Sequence, residues 1–338
     1  MMMRHRSKNV LRVAGIIVGL ACVVVGVRWT GVDAIRAALS RVGGNIAWLF
    51  VAYAAGTAVA AVPWRGLLPL WLRPSWGATL TSRFAASGVN ALLPFFGLGE
   101  AARMLWLPRG QRTPGLAALV VDRLLFLAAG TPILVLAALV ATRVPGVPRS
   151  YEIAALVSAG IISMAVVAVA VGAATGRMIG KLRWALVVFG VPPTNGKGKE
   201  STGDVVNPVD RELHALLTGP RAPIVRGFLL HIVARLLLAL EIYAGLKILG
   251  AHVGPAGTLI FIAIPVGLSV IGTFVPGQIG LQEGACALVA AALGIGPATG
   301  IALVFLQRLR QLVFVPLAGL LIALVPYGPG TSDPQGSS

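Results

Sequence analysis

Glu100 and Glu283 each follow a glycine-rich interruption of an apolar stretch. Each is trailed by an arginine in the next apolar stretch, Arg123 after the first and Arg308 after the second. A carboxylate in such a place can bind a cation, or take a proton when burial disfavours its charge. An arginine there can grip a phosphate through two parallel N–H bonds. Both also have structural uses. The carboxylates can accept backbone N–H groups or complement the dipole where a half-helix opens. The arginines can close an ion pair with a carboxylate of either interruption, and an arginine can exchange that carboxylate for a substrate phosphate. Arg103, Arg235 and Arg310 extend the basic set, and Asp122 adjoins Arg123. A charge at the centre of a bilayer costs about 2.5–3.5 kcal/mol. These groups, with Glu241, must therefore face one another or a polar cavity.

The two interruptions resemble each other. Aligned on the glutamate, Gly97 matches Gly280, Leu98 matches Leu281 and Ala102 matches Ala285. Asn90, Pro94, Gly97 and Gly99 form one tip; Pro276, Gly277, Gln278 and Gly280 form the other. Proline and glycine break helices, and Asn90 and Gln278 are placed to satisfy the backbone groups that a broken helix frees. Matched interruptions in two halves of a membrane protein point to an inverted repeat with its site at the repeat interface.

Composition sets the class. Apolar residues make up 57% of the chain and charged residues 12%, against about 25% charged in a soluble domain. The expectation is an all-α polytopic membrane protein. The formal net charge of +17 raises nucleic-acid binding. The basic residues sit mainly at the ends of apolar runs, where the positive-inside rule puts them, and nucleic acid is rejected as a partner. Cys22 and Cys286 both lie in apolar segments and read as packing residues. No nucleotide loop, nucleophile constellation or metal cluster is visible, so the reading is a transporter rather than an enzyme, with no cofactor.

Taken in order, residues 1–43 are an anchor span (10–27) with an amphipathic connection. Residues 44–141 form the first repeat half. Its outer spans are 44–62 and 116–141, and between them the block 77–108 is basic at both ends. One crossing would put a basic end on the wrong side, so the block reads as a re-entrant hairpin. Residues 142–176 are a linking span, and 177–223 a basic cytoplasmic loop. The second half, 224–325, repeats the plan with spans 224–249 and 297–325 around a hairpin at 255–295. No lysine or arginine lies between His252 and Arg308, so this hairpin suits the outer side. In span 224–249, His231 and Arg235 share a helix face while Glu241 points elsewhere; His231 reads as a packed or hydrogen-bonded residue. Residues 326–338 read as a disordered tail. The plan is six full spans and two re-entrant hairpins, with both termini cytoplasmic.

The stretches Arg83-Phe84, Asn90-Ala91-Leu92-Leu93-Pro94, Gly99-Glu100-Ala101-Ala102-Arg103, Asp122-Arg123-Leu124-Leu125 and Pro276-Gly277-Gln278-Ile279-Gly280-Leu281-Gln282-Glu283 resemble the flippase-like family. That family is related to the transmembrane region of lysylphosphatidylglycerol synthase (MprF). The ending Gln307-Arg308-Leu309-Arg310 with Val315-Pro316-Leu317-Ala318-Gly319 looks closest to the hopanoid-associated, HpnL-like branch. The first tip departs from the family pattern, with Pro-x-x-Gly in place of the usual polar tip. The soluble aminoacyl-transferase domain of the synthase is absent, so lipid aminoacylation does not carry over. The resemblance implies movement of a lipid, anionic or of hopanoid or polyprenyl type, between leaflets of a bacterial inner membrane, with protons as a possible coupling ion. Carried over, Asn90, Glu100, Arg103, Asp122, Arg123, Pro276, Gly277, Glu283, Arg308 and Arg310 line the path. The residues themselves do not choose the substrate. An ion-coupled solute transporter and a non-catalytic partner of lipid-synthesis enzymes stay open at this point.

Overall fold

A computed structural model of the chain describes residues 43–92, 98–108, 111–175, 208–271 and 281–324. The described elements are all helical. In chain order they are α1 (Ala47–Val59), α2 (Val62–Leu67), α3 (Trp76–Leu92), α4 (Leu98–Ala102), α5 (Arg112–Ala128), α6 (Thr131–Ala141), α7 (Arg149–Ala174), α8 (Pro208–Thr218), α9 (Arg221–Ile248), α10 (Pro255–Ile271), α11 (Leu281–Ala292) and α12 (Pro297–Leu324). Among the described residues five stretches are long and apolar enough to cross a membrane: Gly43–Leu67, Arg112–Ala141, Arg149–Ala174, Arg221–Ile248 and Pro297–Leu321. They overlap the expected spans at 44–62, 116–141, 153–175, 224–249 and 297–325. The expected span at 10–27 lies outside the described residues, as do Pro94, Gly97, Pro276, Gly277, Gln278 and Gly280.

Local signals explain the boundaries. Helix α9 ends where Gly250 takes φ +76°, a left-handed conformation that glycine adopts without a Cβ penalty. The Ala251 N–H then reaches Leu246 O at 2.9 Å and the Gly250 N–H reaches Lys247 O at 3.0 Å, which satisfies the last carbonyls. Span 112–141 is not one helix. It breaks at Ala129-Gly130, and α6 restarts with Pro132 in its first turn, where a missing N–H costs nothing. The loop 177–223 also holds more than a linker. Its end is helix α8, which buries Val209 and Leu213 and docks on α5 and α7.

Two apolar cores hold the bundle. One joins α6, α7, α9 and α10 to α12 through Leu134, Ala138, Ala159, Leu246, Phe261 and Leu303. The other joins α2, α5, α7 and α8 through Trp64, Leu68, Ala117, Ala118, Ala173 and Leu213. Alanines at these contacts let helices approach closely, the usual device where lipid supplies no hydrophobic drive between helices. The outer faces stay apolar: Ile153, Val157, Met164 and Val171 of α7 are all exposed.

Helices far apart in sequence pack together: α3 on α12, and α10 on α6. The opening spans α1 and α9 pack on each other.

Candidate functional site

Helices α3, α4, α5 and α9, with the short helical turn Arg103–Trp106 after α4, bring their charged residues to one place. Glu100 sits in the first turn of α4 and is buried. Arg83 of α3 donates from Nη1 to Glu100 Oε1 at 2.6 Å. Arg103 donates from Nη1 to Glu100 Oε2 at 3.2 Å and to Asp122 Oδ2 at 3.0 Å. His231 of α9 places Nε2 2.9 Å from Asp122 Oδ1. Facing a carboxylate, that nitrogen is the donor. The Arg103 guanidinium lies 4.4 Å from the centre of the buried Trp64 ring, a cation–π contact that adds to its two charge partners. The approach of α4 to α3 depends on Gly99: a Cβ there would lie 2.1 Å from Ala86 O. Its N–H donates to Asn90 Oδ1 at 3.0 Å, so Asn90 serves the backbone of the broken block.

The break between α5 and α6 creates a second feature. The Gly130 N–H bonds to Leu127 O at 2.9 Å, which leaves Phe126 O without that helical donor. Arg235 Nη2 supplies the missing bond at 2.6 Å. Arg235 also lies 4.2 Å from the centre of the Phe126 ring, and Arg123 lies 4.9 Å from the same ring. Arg123 is exposed, and among the described residues no carboxylate forms an ion pair with Arg123 or Arg235. Four arginines, Arg83, Arg103, Arg123 and Arg235, thus share two carboxylates, Glu100 and Asp122. The surplus is positive, the polarity that receives an anion.

Arg235 stands at the edge of an apolar groove of about 390 Å³ between α6, α9 and α10. Leu236, Leu240, Tyr243, Leu259 and Ile262 line it. Leu236 is 58% and Leu240 52% exposed, so the groove opens on the outer, apolar face of the bundle.

Helices α9, α11 and α12 carry two further ion pairs. Glu283, in the first turn of α11, accepts from Arg308 Nε at 2.8 Å and from its Nη2. Beside them Gln282 Nε2 donates to Gln307 Oε1 at 3.0 Å. Both charged side chains keep about a fifth of their surface, 23% for Arg308 and 19% for Glu283. Glu241 of α9 is buried and pairs with Arg310 of α12. The Arg310 guanidinium lies 3.7 Å from the centre of the Tyr53 ring. Phe314 then stacks on Phe84 and meets Tyr53 edge-on, an aromatic layer next to Arg83.

Among the site residues expected from sequence, Glu100, Arg103, Asp122, Arg123 and Arg235 come together. Glu283 and Arg308 meet each other, while Arg310 turns to Glu241. The sequence match of Arg123 and Arg308 does not extend to pairing: Arg308 bonds Glu283, whereas Arg83 and Arg103 bond Glu100. Arg83, Trp64, Phe126 and Tyr53 were not among the expected site residues. The visible signal for Arg83 was an arginine inside an apolar run; the rings carried none.

No curated protein and no solved structure matches the chain. One family does, described as the lysylphosphatidylglycerol synthase TM region, over residues 12–319. That stretch includes the charged clusters and the groove. The chain is therefore a multi-pass membrane protein that belongs to the lysylphosphatidylglycerol synthase TM region family.

Proposed function

We propose that this protein is a lipid translocase, a carrier rather than an enzyme, that moves an anionic lipid or a hopanoid- or polyprenyl-type lipid between leaflets. The observation that carries this reading is Arg235. Its charge has no carboxylate partner among the described residues, and it joins the arginine-rich cluster to an apolar groove that opens sideways. A water-soluble solute has no use for such a groove; a lipid places its tail there and its headgroup on the arginines. A groove of this volume lies in the size range of small-molecule sites, about 300–1,000 Å³.

In this reading the blocks 77–108 and 255–295 are re-entrant hairpins of an inverted repeat. Arg123 and Arg235 receive the headgroup. Arg308 exchanges Glu283 for the headgroup on the opposite half, and Glu283 or Glu100 takes a proton when its arginine leaves. The HpnL-like ending favours a hopanoid-associated role, with the chain in a bacterial inner membrane and both termini cytoplasmic.

The test is leaflet exchange in proteoliposomes. A fluorescent phosphatidylglycerol and a polyprenyl-phosphate probe would be followed by outer-leaflet quenching, with and without a pH gradient. Exchange faster than in empty vesicles is expected, and Arg235→Leu should slow it about tenfold or more, the effect of losing one charge-assisted bond. Folded protein that exchanges neither probe would overturn the reading.

A further inference from the structure

A separate basic pocket lies at the arginine-rich end of the bundle, between α2, residues 73–76 and the first turns of α9. It encloses about 270 Å³, and Arg65, Arg73 and Arg226 line it together with Trp76. Two of the guanidinium groups are held by backbone carbonyls. Arg65 Nε donates to Pro74 O at 2.9 Å; Arg73 donates from Nε to Leu68 O at 3.0 Å and from Nη2 to Gly66 O at 3.1 Å. Arg65 also lies 4.1 Å from the centre of the Trp76 ring. These contacts orient the cations without neutralising them. Arg226 is exposed. Among the described residues no carboxylate forms an ion pair with any of the three.

Three like charges around one recess repel each other, and a shared anion relieves that repulsion. Guanidinium forks suit phosphate oxygens in particular. The source of the phosphate follows from the neighbouring residues. Leu70 is 77% and Trp71 68% exposed on the short turn Leu70–Leu72 that joins the pocket's two sides. An exposed tryptophan beside an arginine cluster, at the end of a spanning segment, is the pattern of a residue seated at the headgroup level of a bilayer.

We propose that this pocket binds the phosphate headgroup of an anionic phospholipid at the membrane surface, with Trp71 and Leu70 inserted beside it. It is a second lipid site, distinct from the groove at Arg235, and it does not depend on translocation. Residues adjacent in sequence link it to the interior: Trp64 precedes Arg65 and packs on Arg103, and Leu230 of the pocket precedes His231.

Native mass spectrometry of the full chain, released from micelles containing equal phosphatidylglycerol and phosphatidylcholine, tests the proposal. Retained phosphatidylglycerol should predominate. Arg226→Glu should cut that preference about threefold or more, the scale of one partly exposed ion pair, without moving the thermal transition. Arg65→Gln should cut it as well. If Arg65→Gln fails to fold, Arg226→Glu and Trp71→Ala decide. An unchanged preference in folded Arg226→Glu and Trp71→Ala overturns the proposal. Displacement of the lipid by millimolar inorganic phosphate overturns the lipid assignment in favour of a free anion. Arg235→Leu is the separating control: it should slow leaflet exchange and keep the surface preference, so either reading can fail alone.

Discussion

Arg103 and Asp122 meet at 3.0 Å with the arginine side chain wholly buried and the carboxylate nearly so. The same guanidinium nitrogen also serves Glu100, so one cation holds two carboxylates from α4 and α5 together. Removing one partner of a buried pair leaves an uncompensated charge and costs about 3–5 kcal/mol. Arg103→Met should therefore lower the thermal transition in detergent more than any other single arginine change in this cluster. Fluorescence-detected size exclusion after a heating series measures it. A transition within a degree of wild type would show that Glu100 and Asp122 are not held by this bridge.

Glu241 and Arg310 form a buried pair beside Tyr53. Glu241→Leu or Arg310→Met alone should destabilise by about 3–5 kcal/mol, and the double change should recover most of that loss, because apolar groups of similar volume often replace a buried ion pair at little cost. A double-mutant cycle on unfolding reads the coupling. A double variant no better than the worse single would mean that Arg310 has a role beyond Glu241.

Gly99 and Gly284 give a matched comparison. A Cβ on Gly99 would sit 2.1 Å from Ala86 O and 2.5 Å from Asn90 Oδ1, whereas nothing lies within 4 Å of one on Gly284. Gly99→Ala should cost about 1–3 kcal/mol through forced separation of packed elements, and Gly284→Ala should be close to neutral. Equal effects would contradict the close packing of α3 on α4.

Arg308 differs from Arg103 in exposure, keeping 23% of its side chain accessible. Partial hydration softens the loss of its pair with Glu283, so Arg308→Ala should cost less stability than Arg103→Met. Its effect on leaflet exchange should be the larger of the two relative to stability. Arg308→Lys keeps the charge and loses the planar fork, so an intermediate exchange rate is expected. Full activity in Arg308→Ala vesicles would remove Arg308 from the path.

Much of the fold was readable from the sequence because the length of an apolar run reports a span directly. The five described spans fall where the runs are. The need for buried charges to find partners was readable too, from the cost of leaving them in hydrocarbon. The identity of the partners was not. Arg123 is the sequence counterpart of Arg308, yet its guanidinium lies over the Phe126 ring, and Arg83 and Arg103, from other elements, bond Glu100 instead. Arg310 lies two residues from Arg308, and that offset on a helix sends it to a different neighbour, Glu241. The break at Gly130 was signalled by Gly130-Thr131-Pro132 but was read as part of one long span, and the carbonyl it frees for Arg235 is visible only in the structure. Helix α8 was masked by the polar character of its loop, since only one of its faces packs.

The packing of α3 on α12 has a consequence for biosynthesis. Helix α3 finds its most extensive packing partner in α12, the last described helix to leave the ribosome. The earlier helices therefore wait in the membrane with an incomplete neighbourhood around Arg83 and Phe84 until the closing helix arrives. Chains truncated before Pro297 should accordingly be recognised by the cell as unfinished and degraded, rather than persisting as a stable fragment.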